Sequence, residues 1–310
     1  MNEGYKNKEE DHSKIKNDCI VMLTFLVFII FLYRNSLWEL FIFSEYNNIS
    51  KGLYSYIFFI PFISGYFIFQ KWEKIFKNNQ NSQKDFFISS LFFVLGILPL
   101  LFKENLSGLL NKNDYLFTQT IGWIFCMIGA FTFSFGRKAV KEAVFPLGLL
   151  FFMAPIPFFI LERYIYFLQH FSVDTSYLIL KILNIPVLQR DTILQLPNFT
   201  MEVADECSGI RSSIVLWLTG VLACYIFLKS NFMRLLLLFS VTPIAIFKNS
   251  LRIVTLGILA SYVDPIYITN HWIHRSGGIL FFVVTLFFVF FPFIFFLKRI
   301  ERFLLKNKEK

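Results

Sequence analysis

Ser276-Gly277-Gly278-Ile279-Leu280-Phe281-Phe282-Val283-Val284-Thr285-Leu286-Phe287-Phe288-Val289-Phe290-Phe291-Pro292-Phe293-Ile294-Phe295-Phe296-Leu297 runs for 22 residues without a charge, between Arg275 and Lys298. A hydrocarbon core of about 30 Å takes about 20 mostly apolar residues as helix, so this run reads as a transmembrane helix. Charge-free runs of similar character stand at 19–33, 53–70, 86–102, 115–135, 143–161 and 212–228. A further run at 235–247 is short by the same rule and spans only if the flanking Arg234 and Lys248 reach the two interfaces. The stretch 253–263, closed by Asp264-Pro265, is shorter still and reads as re-entrant or interfacial. The expectation is an all-α integral membrane protein of about eight transmembrane helices, with residues 1–310 forming a single polytopic domain. Composition excludes most soluble classes: 56% of the 310 residues are hydrophobic and 16% charged, against about 25% charged in a soluble domain.

Orientation follows from the basic residues, which are retained on the cytoplasmic side. The N-terminal segment, the connection 71–85, the group Arg137, Lys138 and Lys141, the pair Lys229 and Arg234, and the tail from Lys298 onward hold 19 of the 30 Lys and Arg. These are alternate connections, so both termini are expected in the cytoplasm, and the long segments 162–211 and 248–275 are expected to face outward. The first apolar run follows a polar, mixed-charge segment and lacks a small-residue cleavage site, so it reads as an uncleaved span. The net charge of +9 is then a collar against anionic headgroups, and no nucleic-acid partner is implied. No internal repeat, heptad pattern, phosphate-binding glycine loop or paired-cysteine metal motif is visible, and neither metal nor cofactor is expected.

Segment 162–211 is too long for a mere link. Residues 164–183 place apolar side chains at helical spacing, with Gln169, His170, Asp174 and Lys181 between them, as in an amphipathic helix at the outer leaflet. Asn184-Ile185-Pro186-Val187 and Thr192-Ile193-Leu194-Gln195-Leu196-Pro197 suggest a short hairpin. The chain re-enters the membrane through Met201-Glu202-Val203-Ala204-Asp205-Glu206-Cys207-Ser208-Gly209-Ile210-Arg211-Ser212.

Cys207 stands where this outer loop becomes a helix. Unpaired backbone N–H groups and the positive end of the dipole favour a thiolate there, and Arg211, four residues on, adds to that field if both share one helical face. The alternative is a small buried cysteine, the reading that fits Cys19, Cys126 and Cys224 within or at the edge of spans. A thiol nucleophile needs a base and a group to stabilise the oxyanion. Lys248-Asn249-Ser250-Leu251-Arg252 offers an arginine bordered by Ile253 and Val254, and His271-Trp272-Ile273-His274-Arg275-Ser276-Gly277-Gly278 offers histidines able to exchange protons near neutral pH. The bland readings are a lipid-phosphate anchor for Arg252 and an interfacial aromatic for His274. Basic-residue topology places Cys207, Arg252 and His274 on one outward face.

At this point the residues resemble the exosortase and archaeosortase transpeptidases. Glu206-Cys207-Ser208-Gly209-Ile210-Arg211-Ser212 is similar to the family's Cys-Ser-Gly-Leu-Arg-Ser signature, and Ile185-Pro186-Val187, Ile193-Leu194-Gln195-Leu196-Pro197 and Glu202-Val203 resemble its approach to the cysteine. Asn249-Ser250-Leu251-Arg252-Ile253 resembles Asn-x-x-Arg. His274-Arg275-Ser276-Gly277-Gly278 with Phe282 resembles His-x-x-x-Gly-x-x-x-Phe. The motifs come in family order over about residues 150–297, the expected catalytic region; upstream, only hydropathy and Ser50-Lys51-Gly52-Leu53 echo the family.

The resemblance implies a membrane cysteine protease or transpeptidase acting on membrane-anchored proteins with a C-terminal sorting tail. Cys207 would be the nucleophile, Arg252 the oxyanion stabiliser and His274 the general acid and base, with Arg211, Asn249 and Gly278 in support. The archaeal branch carries arginine in the third position, so His274 points to the bacterial branch and a bacterial cytoplasmic membrane. His271 is the competing base, and Asp205 or Glu206 the candidate to orient the imidazole. Two other classes stay open: a polytopic transporter or channel with Arg252 and His274 lining a path, and a non-catalytic assembly component.

Overall fold

Why the chain is helical follows from its solvent: in hydrocarbon every backbone polar group must be satisfied within the segment, and a helix does that locally. The computed structural model describes residues 2–46, 52–79, 85–269 and 272–308. Ser50 and Lys51 of the degraded upstream motif lie outside the described residues, as does His271. Thirteen α-helices are present among the described residues: α1 Asn2–Tyr46, α2 Phe59–Gln70, α3 Trp72–Asn79, α4 Phe86–Leu101, α5 Lys103–Leu109, α6 Lys112–Glu142, α7 Val144–Leu149, α8 Phe158–Ile182, α9 Ile210–Phe227, α10 Asn231–Tyr262, α11 Ile266–Thr269, α12 Trp272–Thr285 and α13 Phe291–Lys308. Five helical segments are long and apolar enough to cross a membrane, or seven if each of two bent pairs counts as one span. The protein is therefore an all-helical, multi-pass membrane protein, with fewer full-length spans than the eight apolar runs suggest.

The difference has identifiable causes. The runs 235–247 and 253–263 are not a short span and a re-entrant piece; both belong to α10, one helix of 32 residues. Nor does Lys248 reach an interface, since it is 2% exposed. No helix breaker separates the two runs, and the polar residues between them find partners in the fold, so the helix continues. Run 53–70 becomes a 3₁₀ turn, Ser55–Phe58, followed by the 12-residue α2.

The chain divides into two compact units, Met1–Phe158 and Phe159–Lys310. In the first, α4 and α6 approach at glycines: a Cβ on Gly96 would stand 2.8 Å from Gly122 O, and one on Gly122 2.7 Å from Gly96 O. Small residues permit such close helix packing in membranes. Ser89 Oγ donates to Gly129 O at 2.9 Å and Gln119 Nε2 to Pro99 O at 2.8 Å across the same pair.

The second unit contains all three motifs. Helix α8 buries Leu161, Ile165, Leu168, Gln169, Ser172, Val173, Ser176 and Leu180, the three- and four-residue spacing of one helix face. The amphipathic pattern is thus a helix that begins earlier, at Phe158, and turns its stripe onto protein. Asn184, at φ 56°, ends it in the left-handed conformation, with Ile185 N bonding Leu180 O at 3.0 Å, a common way to satisfy the last carbonyls. The chain then forms an antiparallel sheet ordered β1 (Leu188–Arg190), β2 (Ile193–Gln195) and β3 (Thr200–Glu202), where a two-strand hairpin is expected. Leu194, Leu196, Val203, Ile253 and Val254 form one core with Val173 and Leu180 of α8.

Candidate active site

Helices α9 and α10 are joined by three residues and pack antiparallel, with a Cβ on Gly220 falling 2.9 Å from Val241 Cγ2. That contact sets their register. Ten residues up α9 reach Ile210 and eleven along α10 reach Arg252, rises of about 15 and 16 Å at about 1.5 Å per residue. Arg252 is therefore level with the start of α9, just beyond which lies Cys207.

The entry to α9 is not a simple helix start. Cys207 closes a 3₁₀ turn, Asp205–Cys207, with its N–H donating to Ala204 O at 2.8 Å, and Gly209 follows at φ 77°. Only after this left-handed residue, which suits glycine, does the helix begin. The four-residue step from Cys207 to Arg211 is consequently not one turn of a continuous helix, and the expected shared face does not arise. Ser212 Oγ and Ser213 Oγ donate to Gly209 O at 3.0 and 2.9 Å, tying down the turn.

Three consecutive residues of α10 brace this region. Lys248 Nζ donates to Ser212 Oγ. Asn249 Nδ2 donates to Cys207 O at 2.9 Å, and Ser250 Oγ donates to Ser172 O of α8 at 3.0 Å. A Cβ on Gly209 would stand 2.7 Å from Asn249 Oδ1 and 2.8 Å from its Cγ, so the glycine is required by both backbone and space. From the other side, Gln169 Nε2 of α8 donates to Val203 O at 2.6 Å.

Cys207 is a partly exposed thiol outside any disulfide. It and the half-buried Arg252 line one cavity of about 210 Å³, together with the five residues Phe199 to Val203 and with Ile253 and Leu256. The backbone of His274 is in the first turn of α12. The helical stretch continuing from α12 passes Gly220 at Phe290 and places Glu301 against Lys229 N and Ser230 N, so α12 begins at the end of the unit where α9 begins. The His274 side chain lies outside the described residues, as does that of Glu206. Asp205 is exposed on its turn. A Cβ on Gly278 meets nothing within 4 Å among the described residues, so packing gives no reason for glycine there.

The structure therefore brings Cys207, Arg252 and Asn249 together and puts the start of α12 at their end of the unit. Sequence reasoning missed the bracing roles of Lys248, Ser212 and Gln169; only Gln169 left a trace, at a buried position of the α8 stripe. No group of three or more His, Cys, Asp and Glu among the described residues is arranged to hold a metal ion.

The family model described as Transmembrane exosortase (Exosortase_EpsH) matches residues 48–291, well over half of the chain. The protein described as probable archaeosortase E of Methanocaldococcus jannaschii is 29% identical over 149 residues, covering 48% of this chain and 78% of that relative. No solved structure matches.

Proposed function

The chain belongs to the transmembrane exosortase family, and from that premise we propose that it is a membrane-embedded cysteine peptidase or transpeptidase that removes C-terminal sorting tails at the outer face of the membrane. The observation that carries the reading is the cavity shared by Cys207 and Arg252, brought level by the α9–α10 register. The histidine in the third motif, where the archaeal branch has arginine, supports the bacterial form of the chemistry. The distribution of basic residues supports a site facing outward with both termini in the cytoplasm.

His274 takes the thiol proton and the sulfur of Cys207 attacks the peptide carbonyl just outside the substrate's transmembrane helix. Arg252 stabilises the tetrahedral oxyanion. The C–N bond breaks, the leaving amine receives the proton from His274, and the trimmed protein remains as a thioester. An acceptor nucleophile then gives its proton to His274 and displaces the thiolate, or water does so with net hydrolysis. The physical logic is positional: an anchored substrate holds its scissile bond at one depth, so a site at that depth gains proximity without recognising much sequence.

The test is processing in cells. With Cys207→Ala, secreted proteins that end in an apolar helix and a basic cluster should keep their tails. Unchanged processing at normal enzyme levels would sink the peptidase reading, and retained transport of a solute would favour a transporter.

A further inference from the structure

Strand β3 has β2 on one side and, among the described residues, no strand on the other. The pairing shows which of its backbone groups point where. Leu196 and Phe199 exchange both backbone hydrogen bonds, at 2.8 and 3.4 Å, and Val203 N donates to Thr192 O at 3.0 Å. Opposed residues in an antiparallel pair alternate between bonded and non-bonded. With Leu194 opposite Met201 and Gln195 opposite Thr200, Phe199, Met201 and Val203 turn their amides and carbonyls toward β2. Thr200 and Glu202 turn theirs outward, and no described residue bonds them.

Side chains alternate as well. Met201 and Val203 join the core, whereas Thr200 and Glu202 are exposed. The cavity nonetheless touches every residue from Phe199 to Val203. The cavity thus borders the whole of this edge strand, with Arg252, Ile253 and Leu256 of α10 and Cys207 also in its lining.

A free edge of amides and carbonyls is a template for one more strand. We infer that β3 is the substrate-binding strand: an extended segment of the membrane-anchored substrate pairs with the outward groups of Thr200 and Glu202 and so carries its scissile carbonyl to Cys207. This rests on the peptidase reading above. A peptide in this position lies about 4.8 Å from β3, next to the strand whose residues line the cavity with Cys207 and Arg252. Recognition through backbone groups demands an extended conformation and little sequence. Charge adds one preference: Glu202 is exposed on this strand, so the substrate residue opposite it is neutral or basic and not acidic.

The test uses the full-length enzyme in cells and a reporter ending in the apolar helix and basic cluster of a secreted protein of the same organism. Proline is tolerated at an edge position whose N–H faces away from the sheet, but it removes that donor and blocks strand addition. Glu202→Pro and Thr200→Pro should therefore lower reporter processing about tenfold or more, the weight of one or two backbone hydrogen bonds, at unchanged enzyme level. Normal processing by both variants overturns the inference. Should either variant fail to accumulate, a photo-crosslinking residue at 200 or 202 in a Cys207→Ser enzyme decides. An adduct with the reporter segment just before its apolar helix supports strand addition; an adduct with a second copy of the enzyme, or none, overturns it. Failure of the peptidase reading is separate: Cys207→Ala would still process the reporter, whatever the β3 variants do.

Discussion

Asn249 Nδ2 donates to the carbonyl oxygen of Cys207 at 2.9 Å, so the residue one helical turn before Arg252 holds the backbone of the proposed nucleophile. The bond joins the end of the 3₁₀ turn to α10 and couples the positions of Cys207 and Arg252. Asn249→Ala leaves that carbonyl without its donor, a loss of about 1–3 kcal/mol. Processing should fall by roughly tenfold to a hundredfold, and Asn249→Asp, which lacks the donor and adds a charge, should do no better. The ratio of trimmed to untrimmed substrate at matched enzyme levels checks this; wild-type trimming by both variants refutes it.

Gly209 faces the same asparagine. Alanine there takes on a left-handed φ at about 1–2 kcal/mol and sets its Cβ 2.7 Å from Asn249 Oδ1. Gly209→Ala is expected to lower the thermal midpoint of the detergent-solubilised protein and to reduce processing even though Cys207 is intact. An unchanged midpoint would show that the turn relaxes at no cost.

Arg252→Ala should reduce turnover about 10²–10³-fold, the usual weight of one oxyanion donor. Arg252→Lys should recover little of it, because an ammonium is a point charge without the planar fork of the guanidinium. Thioester formation, followed with a mass-resolved adduct on Cys207, reads this step directly. Full activity in the lysine variant would assign Arg252 a bulk electrostatic role.

Lys248 is buried, hydrogen-bonded to Ser212 Oγ, and forms no ion pair with a carboxylate among the described residues. A buried charge is weak evidence for stability, and an apolar replacement of similar shape is often neutral or stabilising. Lys248→Met is expected to leave stability within about 1 kcal/mol or raise it, whereas Lys248→Glu, which puts a carboxylate out of reach of water, should cost about 3 kcal/mol or more. Thermal unfolding in detergent separates the two; a large loss in Lys248→Met would mean the cation is needed for the fold.

Glu301 works at the opposite end of the second unit. It is 4% exposed, and its Oε1 accepts from Lys229 N at 2.9 Å and from Ser230 N, the residues joining α9 to α10. Glu301→Ala leaves two amides without their acceptor and should destabilise by about 1–3 kcal/mol, while the surviving folded enzyme processes substrate at the wild-type rate. A specific loss of turnover would mean that the α9–α10 turn transmits its position to the site.

The parts of the fold legible in the sequence are those set by local cost. A charge in hydrocarbon is expensive wherever it occurs, so charge-free runs mark most of the membrane helices, and the helical spacing of apolar residues over 164–183 marks most of α8. The segments 184–187 and 192–197 announce a short hairpin, and in the fold Asn184 and Asp191 adopt positive φ. The third strand was hidden, since Thr200 to Glu202 carry no alternation of their own long enough to recognise.

The reading failed at α10 for a physical reason. Lys248, Asn249 and Arg252 look like the end of a span when each is weighed against lipid. In the fold, Ser212, Cys207 and Ser172 receive hydrogen bonds from Lys248, Asn249 and Ser250, across 36, 42 and 78 residues of chain respectively. By itself the sequence determined that this chain is a helical membrane protein, where its apolar runs lie, and which motifs it carries in which order, because those depend on each residue's own transfer cost and neighbours. Only the tertiary structure decided that 231–262 is one helix, that Cys207 precedes a left-handed turn instead of starting a helix, and that strand β3 lines its cavity. Those outcomes depend on which distant segment supplies the partner for a polar group, and pairing at a distance is settled by packing.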